Sequence, residues 1–307
     1  MTPPAKISFG FCVNNAIVNV PDLLRAVRQA DRDGLDLVSV MDHPYTGDQL
    51  DAYAFLGFVL GATERLAGFA NVTNLPTRPA PMLARAVTSL SALSGGRVVL
   101  GLGVGLQWDR IADMGVPRLS PGEAVNAFEE AIVLVKKLAG GGPPVTYDGK
   151  HYRVNGIDPA PVAAPEVWTG SSGPKSLAAT GRVADGWLPP YFADWLSERY
   201  RTSRPIIDEA AASIGRDPGE IRTIYNFAGQ ITDRPLAATR DGDGRWIGGS
   251  VAQWVEELTG AVLEHGAAGF NFTEPSGFAE DLTVLGRWAN EIAPAVREAA
   301  AKEQAGA

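Results

Sequence analysis

Cysteine is almost absent. Cys12 is the only one in 307 residues, which excludes an internal disulfide and any cysteine-built metal cluster. Histidine is nearly as scarce, at three residues, and no H-E-x-x-H or clustered pattern offers a metal site. Basic residues are outnumbered, 27 against 35 acidic, for a formal charge of −8. No basic stripe occurs, so nucleic acid is not an expected partner. No run of roughly 18 apolar residues exists, and the opening MTPPAKISFG lacks a signal peptide's apolar region. A cytosolic protein without a membrane partner is therefore expected. A G-x-S-x-G nucleophile elbow is missing too.

What the chain does have is a large apolar fraction, 45%, with 35 glycines and 22 prolines placed at element boundaries. That length and composition can bury a sizeable core. Strand and helix signals alternate from end to end. Strands are predicted at residues 6–14, 37–41, 69–75, 97–104, 167–169, 186–189, 221–230 and 269–273. Helices are predicted at 21–32, 51–66, 79–93, 121–138, from Pro174, over 193–214, over 251–265 and from Phe278 onward.

Eight such pairs, with strands mostly too apolar for a one-sided sheet, predict a closed (β/α)₈ TIM barrel. An open doubly wound sheet is the alternative, but ISFGFCVNNAI carries no glycine fingerprint after the first strand. Two segments exceed the bare repeat. Residues 143–165, after the fourth helix, read as a hairpin turning at Asp148-Gly149, and residues 235–249 form a Gly-rich connection after the seventh strand. Both are read as insertions in one domain spanning 1–307. The last residues, AAAKEQAGA, are expected to fray.

In such barrels the active site lies at the C-terminal strand ends. These ends carry Asn14 and Asn15, then Asp42, His43 and Tyr45, then Asn71 to Asn74, then Gly105 to Trp108. His43 is the only histidine at a strand end, placed for proton donation or for orienting a carbonyl. Asp42 either holds the imidazole from behind or caps the chain. Cys12, on an apolar strand, reads as core or pocket lining. In RVVLGLGVG, Gly101, Gly103 and Gly105 share one face of a strand, leaving bare backbone with room for something flat or close. Trp108, Trp187, Tyr191 and Trp246 are candidates to wall a pocket.

The segment PEVWTGSSGPKSLAATGRVADGWLPPY adds a short strand, the loop Gly170-Ser171-Ser172-Gly173, and a helix opened by Pro174. Loop amides, two hydroxyls and the positive end of a helix dipole predict a receptor for a phosphate or similar anion. An ordinary strand-to-helix turn is the plainer reading. A phosphosugar isomerase would also use such a loop, but it leaves the glycine strand unexplained.

Together, LSGGR running into LGLGVG, the stretch YDGKHYRV with DPAPVAAPEVWTGSS, and ATGRVADGW resemble the bacterial luciferase-like superfamily over about residues 6–290. The resemblance implies a TIM-type barrel that binds FMN or the deazaflavin coenzyme F-420, often as a homodimer, and acts on a small-molecule substrate. Asp42-His43-Pro44 is similar to the deazaflavin-dependent branch, whose matching histidine lies by the reactive ring face. The resemblance also implies a non-prolyl cis peptide in the third strand, at Asn71–Val72. It assigns cofactor contacts to Asn71, Val72, Asn74, Gly103, Val104, Gly105, Thr169, Gly170, Ser171, Ser172 and Gly173.

The substrate pocket falls to Cys12, Asn14, Tyr45, Leu106, Trp108 and Tyr191, with His43 as the catalytic residue and no metal. The family's glucose-6-phosphate dehydrogenases carry a glutamate directly after the strand-four glycines. Here Leu106 stands there. Leu106 beside Trp108 suits a neutral or aromatic substrate. The implied activity is hydride transfer to or from a C=C, C=N or carbonyl group. An FMN-dependent two-component monooxygenase and a catalytically idle flavin-binding barrel are the competing expectations.

Overall fold

The computed structural model describes residues 6–191, 193–273 and 282–306. In chain order the strands begin with β1 (Ser8–Val13), β2 (Leu37–Val40), β3 (Ala67–Ala70), β4 (Thr73–Asn74) and β5 (Leu100–Gly103). A hairpin of β6 (Val145–Asp148) and β7 (Arg153–Ile157) follows, then β8 (Val167–Thr169) and β9 (Gly186–Trp187). The remainder are β10 (Arg222–Ala228), β11 (Gln230–Thr232), β12 (Gly248–Ser250) and β13 (Ala267–Thr273). Nine of them form one all-parallel sheet in the order β3-β2-β1-β13-β10-β9-β8-β5-β4.

β3 and β4 are two pieces of a single stave, separated by Asn71 and Val72, so the nine strands make eight staves. β3 pairs with β2 and β4 with β5, and a parallel bridge from Gly68 to Val98 closes the ring. The third strand was expected to be continuous over 69–75. Its break coincides with a cis peptide at Asn71–Val72.

Helices α1 (Val20–Arg32), α2 (Ala52–Gly61), α3 (Ala80–Ser94), α4 (Trp108–Asp113), α5 (Pro121–Lys137), α6 (Pro174–Val183), α7 (Glu198–Ala212) and α8 (Val251–His265) surround the staves. α9 (Thr283–Arg287) and α10 (Ala293–Gly306) finish the chain, and the expected start of the last helix at Phe278 lies outside the described residues. Local chemistry sets several boundaries. Asp51 caps α2 by accepting from the amides of Tyr53 and Ala54. Ser120 and Glu123 form a reciprocal capping box at α5. α2 stops at Gly61, short of the expected Leu66. α7 starts at Glu198 rather than 193, because Ser197 is its cap and accepts from the Tyr200 amide.

The hairpin forms as expected, and the Glu130 carboxylate of α5 accepts from the amides of Lys150, His151 and Tyr152 at its tip. The Gly-rich connection ends in β12, which pairs in parallel with β11.

Side chains inside the barrel are layered, as period-2 strands dictate. Leu37, Phe69, Trp168, Leu188 and Ile224 fill the lower interior. Above them lies an amide layer. Asn71 and Asn271 both donate to Asn226 Oδ1, at 2.7 and 2.9 Å, and Asn271 also reaches Ser39 Oγ at 2.8 Å. This layer is the floor of the site.

Candidate active site

A cavity of about 840 Å³ opens over the amide layer at the C-terminal ends of the strands. It gathers Cys12 from β1 and Asn14 just after it, His43 and Tyr45 after β2, Asn71, Val72 and Asn74 from the broken stave, Gly103 from β5, and Val104, Gly105 and Leu106 after it. Gly170, Ser172 and Tyr191 complete the sequence-derived residues found there. Sequence reasoning missed the polar Asn226, Thr273 and Gln49 and the apolar Val13, Met41, Leu188, Pro189 and Pro190. A signal existed for Asn226: it is the lone amide among apolar residues of β10, with Tyr225 and Phe227 on the opposite face.

The glycine face of β5 is not open space. A Cβ on Gly101 would sit 2.0 Å from the Ala70 carbonyl oxygen, and one on Gly103 would sit 2.7 Å from Val72 Cγ2. A Cβ on Gly170 would lie 3.0 Å from the same methyl. The glycines therefore receive the bulge of the third stave, and Val72 is wedged between Gly103 and Gly170. The surface presented to the cavity here is made by that bulge, with the glycines as its backing.

His43 is half-buried, and its Nδ1 lies 2.8 Å from the Tyr45 hydroxyl. Burial, and then the nearby Asp42, push the Tyr45 phenol above its ordinary value. The phenol stays protonated at neutral pH and can donate to Nδ1, which leaves an N–H on Nε2.

Asp42 does not hold the imidazole. It is 4% exposed and accepts from the Asn74 amide at 3.0 Å and from Arg78 Nε and Nη2 at 2.8 and 2.7 Å. Arg78 also reaches Asp51 at 2.6 Å and stacks over Tyr53, 4.7 Å from its ring centroid. Asp42 thus ties β2 to the bulge and to the entry of α3. The Asn74 Oδ1 and Gln49 Oε1 atoms are buried without a hydrogen-bond partner, and both residues line the cavity. They are acceptors waiting for a donor.

The anion loop is only partly free. The Gly170 amide donates to Leu102, and the Gly173 amide donates to Ser176 Oγ. Thr169 and Ser171 lie beneath the loop: both hydroxyls pair with Thr180, at 2.7 and 2.9 Å. Trp187 is fully buried and donates to the Ser171 carbonyl at 2.9 Å, bracing the loop from below. Ser172 and Lys175 remain exposed beside the first turn of α6.

Gly173, Thr169, Ser171 and Trp108 are not among the residues lining the cavity. Trp108 instead opens α4 and packs toward Gly105. Trp246 lies in a separate cleft of about 360 Å³ with Trp195, against α8.

Burial pushes the Cys12 thiol up, which keeps it a weak nucleophile at neutral pH. Among the described residues no group of three or more His, Cys, Asp or Glu could hold a metal ion, and no helix is long and apolar enough to cross a membrane.

Comparison with known proteins agrees with this architecture. The chain is 28% identical over 252 residues to an F420-dependent glucose-6-phosphate dehydrogenase of Nakamurella multipartita, covering 77% of this chain and 71% of the relative. A solved F420-dependent secondary alcohol dehydrogenase in complex with an F420-acetone adduct superposes with a TM-score of 0.76 at 17% identity, covering 95% of this chain and 99% of the other. The coenzyme F420 dependent tetrahydromethanopterin reductase from Methanopyrus kandleri superposes with a TM-score of 0.77 at 18% identity, covering 94% and 99%. The luciferase-like monooxygenase family model matches residues 8–306, almost the whole described chain, and the protein belongs to that family.

Proposed function

We propose that the cavity holds coenzyme F-420 and that the protein is an oxidoreductase moving hydride between this deazaflavin and a C=C, C=N or carbonyl group of a small organic substrate. One observation carries the reading. The Asn71–Val72 bulge, its backing of glycines, and His43 with a tethered Nδ1 all meet in one cavity beside a phosphate-type loop. The 28% identical relative is named for the same coenzyme.

The residues present fit such a group. Val72 supplies an apolar support for a flat ring, the orphaned Asn74 and Gln49 oxygens can accept from its polar edge, and Ser172 with the first turn of α6 can hold its phosphate. Bound deazaflavin supplies or accepts the hydride, and the protein contributes positioning and the proton. His43 Nε2 donates that proton to, or withdraws it from, the oxygen or nitrogen of a carbonyl or imine, or the second carbon of a C=C bond, while Tyr45 fixes the imidazole. The amide layer under the cavity holds Asn71 in place through Asn226.

The assembly that goes with this reading is a homodimer, supported by Phe58, Met82 and Leu93, large apolar residues left exposed on α2 and α3. Light scattering that found only a 32.4 kDa species would remove that part.

Parallel equilibrium titrations of the apoprotein with coenzyme F-420 and with FMN, followed by tryptophan fluorescence, test the cofactor. Binding of the deazaflavin alone is expected. Preference for FMN would replace this reading with a two-component monooxygenase. His43→Ala should lower turnover by roughly 100-fold or more without abolishing deazaflavin binding; an unchanged rate would remove His43 from the chemistry, and deazaflavin binding by the parent without any turnover would mean an idle barrel.

A further inference from the structure

We propose that the substrate position beside His43 is built for an uncharged, largely apolar molecule, a neutral carbonyl compound or alkene, and not for a phosphorylated or carboxylated one. This rests on the coenzyme reading above and adds the substrate class to it.

The walls carry the argument. Val13, Met41, Leu106, Leu188, Pro189 and Pro190 give the cavity an apolar lining interrupted by uncharged hydrogen-bonding groups. Among the described residues lining it there is no lysine or arginine. The one carboxylate, Asp42, is buried and neutralised by the two-pronged Arg78 contact, and Arg78 is itself shared with Asp51. Neither member of that pair is left to receive a substrate charge.

The remaining cations nearby are otherwise engaged. Arg110 stands near enough to Tyr45 to oppose the rise of its phenol pKa, but it sits on α4, its side chain is 58% exposed, and it pairs with Asp113 at 3.4 Å. Lys175 is exposed on the first turn of α6 and is not among the residues lining the cavity.

An anion entering the space beside His43, away from the loop at Ser172, would leave water and meet no lysine or arginine among the described wall residues, a costly transfer. A neutral carbonyl loses little on entry. It gains the apolar walls, and its oxygen can accept from His43 Nε2. The bare position of Leu106, 68% exposed at the mouth, is where a charge-bearing side chain would have to stand to change this preference.

The test is calorimetric binding to protein saturated with oxidised coenzyme F-420, the saturation itself read beforehand from tryptophan fluorescence. The probes are 2-naphthaldehyde with 6-formyl-2-naphthoate, and glucose with glucose 6-phosphate. The neutral aldehyde should bind roughly 100-fold tighter than its carboxylate, and phosphate should not improve the binding of glucose. Leu106→Arg should strengthen 6-formyl-2-naphthoate binding about tenfold and so narrow the preference for 2-naphthaldehyde.

Equal or tighter binding of the carboxylate, tighter binding of glucose 6-phosphate than of glucose, or failure of both aldehydes to bind the loaded protein would overturn the proposal. So would a Leu106→Arg protein with unchanged carboxylate affinity. Failure of the coenzyme to bind in the first step would instead overturn the cofactor reading.

Discussion

One half of the barrel is filled with rings and the other is lined with glycine. On the side of β1, β10 and β13, the outward faces carry Phe9, Tyr225, Phe227, Phe270 and Phe272, which pack with Trp254 and Trp288 under the helices. Ring centroids lie 5.4 Å apart for Phe9–Phe270 and 5.1 Å for Phe272–Trp288, distances at which aromatic pairs attract. On the side of β3, β4 and β5, Gly101 and Gly103 give up side chains so that the third stave can press in. Two longer strands, β10 and β13, secure the first half, while the second is built from pieces of two to four residues. The contrast separates the work: burial of rings supplies stability, and surrendered side chains shape the surface a ligand meets.

Four substitutions would break or sharpen that contrast. Phe270→Ala should be the most damaging to stability, at about 3–5 kcal/mol by urea denaturation, yet it should leave the coenzyme affinity of the folded protein alone. A loss under about 1 kcal/mol would mean the ring half is not the anchor.

Gly101→Ala comes next, because its Cβ meets backbone that cannot turn aside. The expected cost is about 1–3 kcal/mol together with weaker coenzyme binding, since the 70–72 backbone must move. A variant as stable as the parent would show that the stave is free to retreat.

At Gly103 the obstacle is a methyl of Val72 rather than backbone. Gly103→Ala should therefore cost only about 1 kcal/mol in thermal unfolding, while displacing Val72 weakens coenzyme affinity by roughly tenfold. Unchanged affinity would detach the glycine seam from binding.

Tyr45→Phe should be the mildest for the fold, within about 0.5 kcal/mol, because it deletes one hydroxyl at a partly exposed position. Turnover should fall about tenfold with little change in KM. Unchanged turnover would show that the Tyr45 hydroxyl does not orient the imidazole.

Much of this was legible before any coordinates. The alternation of apolar strands and helical runs sufficed for the (β/α)₈ barrel and for the hairpin with its turn near Asp148-Gly149. The strand-end rule placed His43, Tyr45 and Leu106 around one cavity. Other parts were hidden for definable reasons. Periodicity alone reads the third stave as one strand; the cis peptide at Asn71–Val72 that divides it was expected only from the family resemblance, and the structure has it there. Gln49 lies beyond the second strand in an irregular loop, where no period exists to aim it. Ser171 looked like a loop donor and Thr169 was assigned to the cofactor, but the helix they precede supplies Thr180 to satisfy both.

The sequence by itself determined which residues share a face, because alternation along a strand and spacing along a helix follow from backbone geometry alone. It put Gly101 and Gly103 on one side of β5, and Leu100 and Leu102 on the other. Only the tertiary structure decided what those faces meet. Asp42 serves Arg78, 36 residues away, instead of its neighbour His43, and the glycines serve a bulge instead of a ligand. Such pairings depend on how separate staves are brought side by side, and that is settled by packing across the closed barrel rather than by any local pattern.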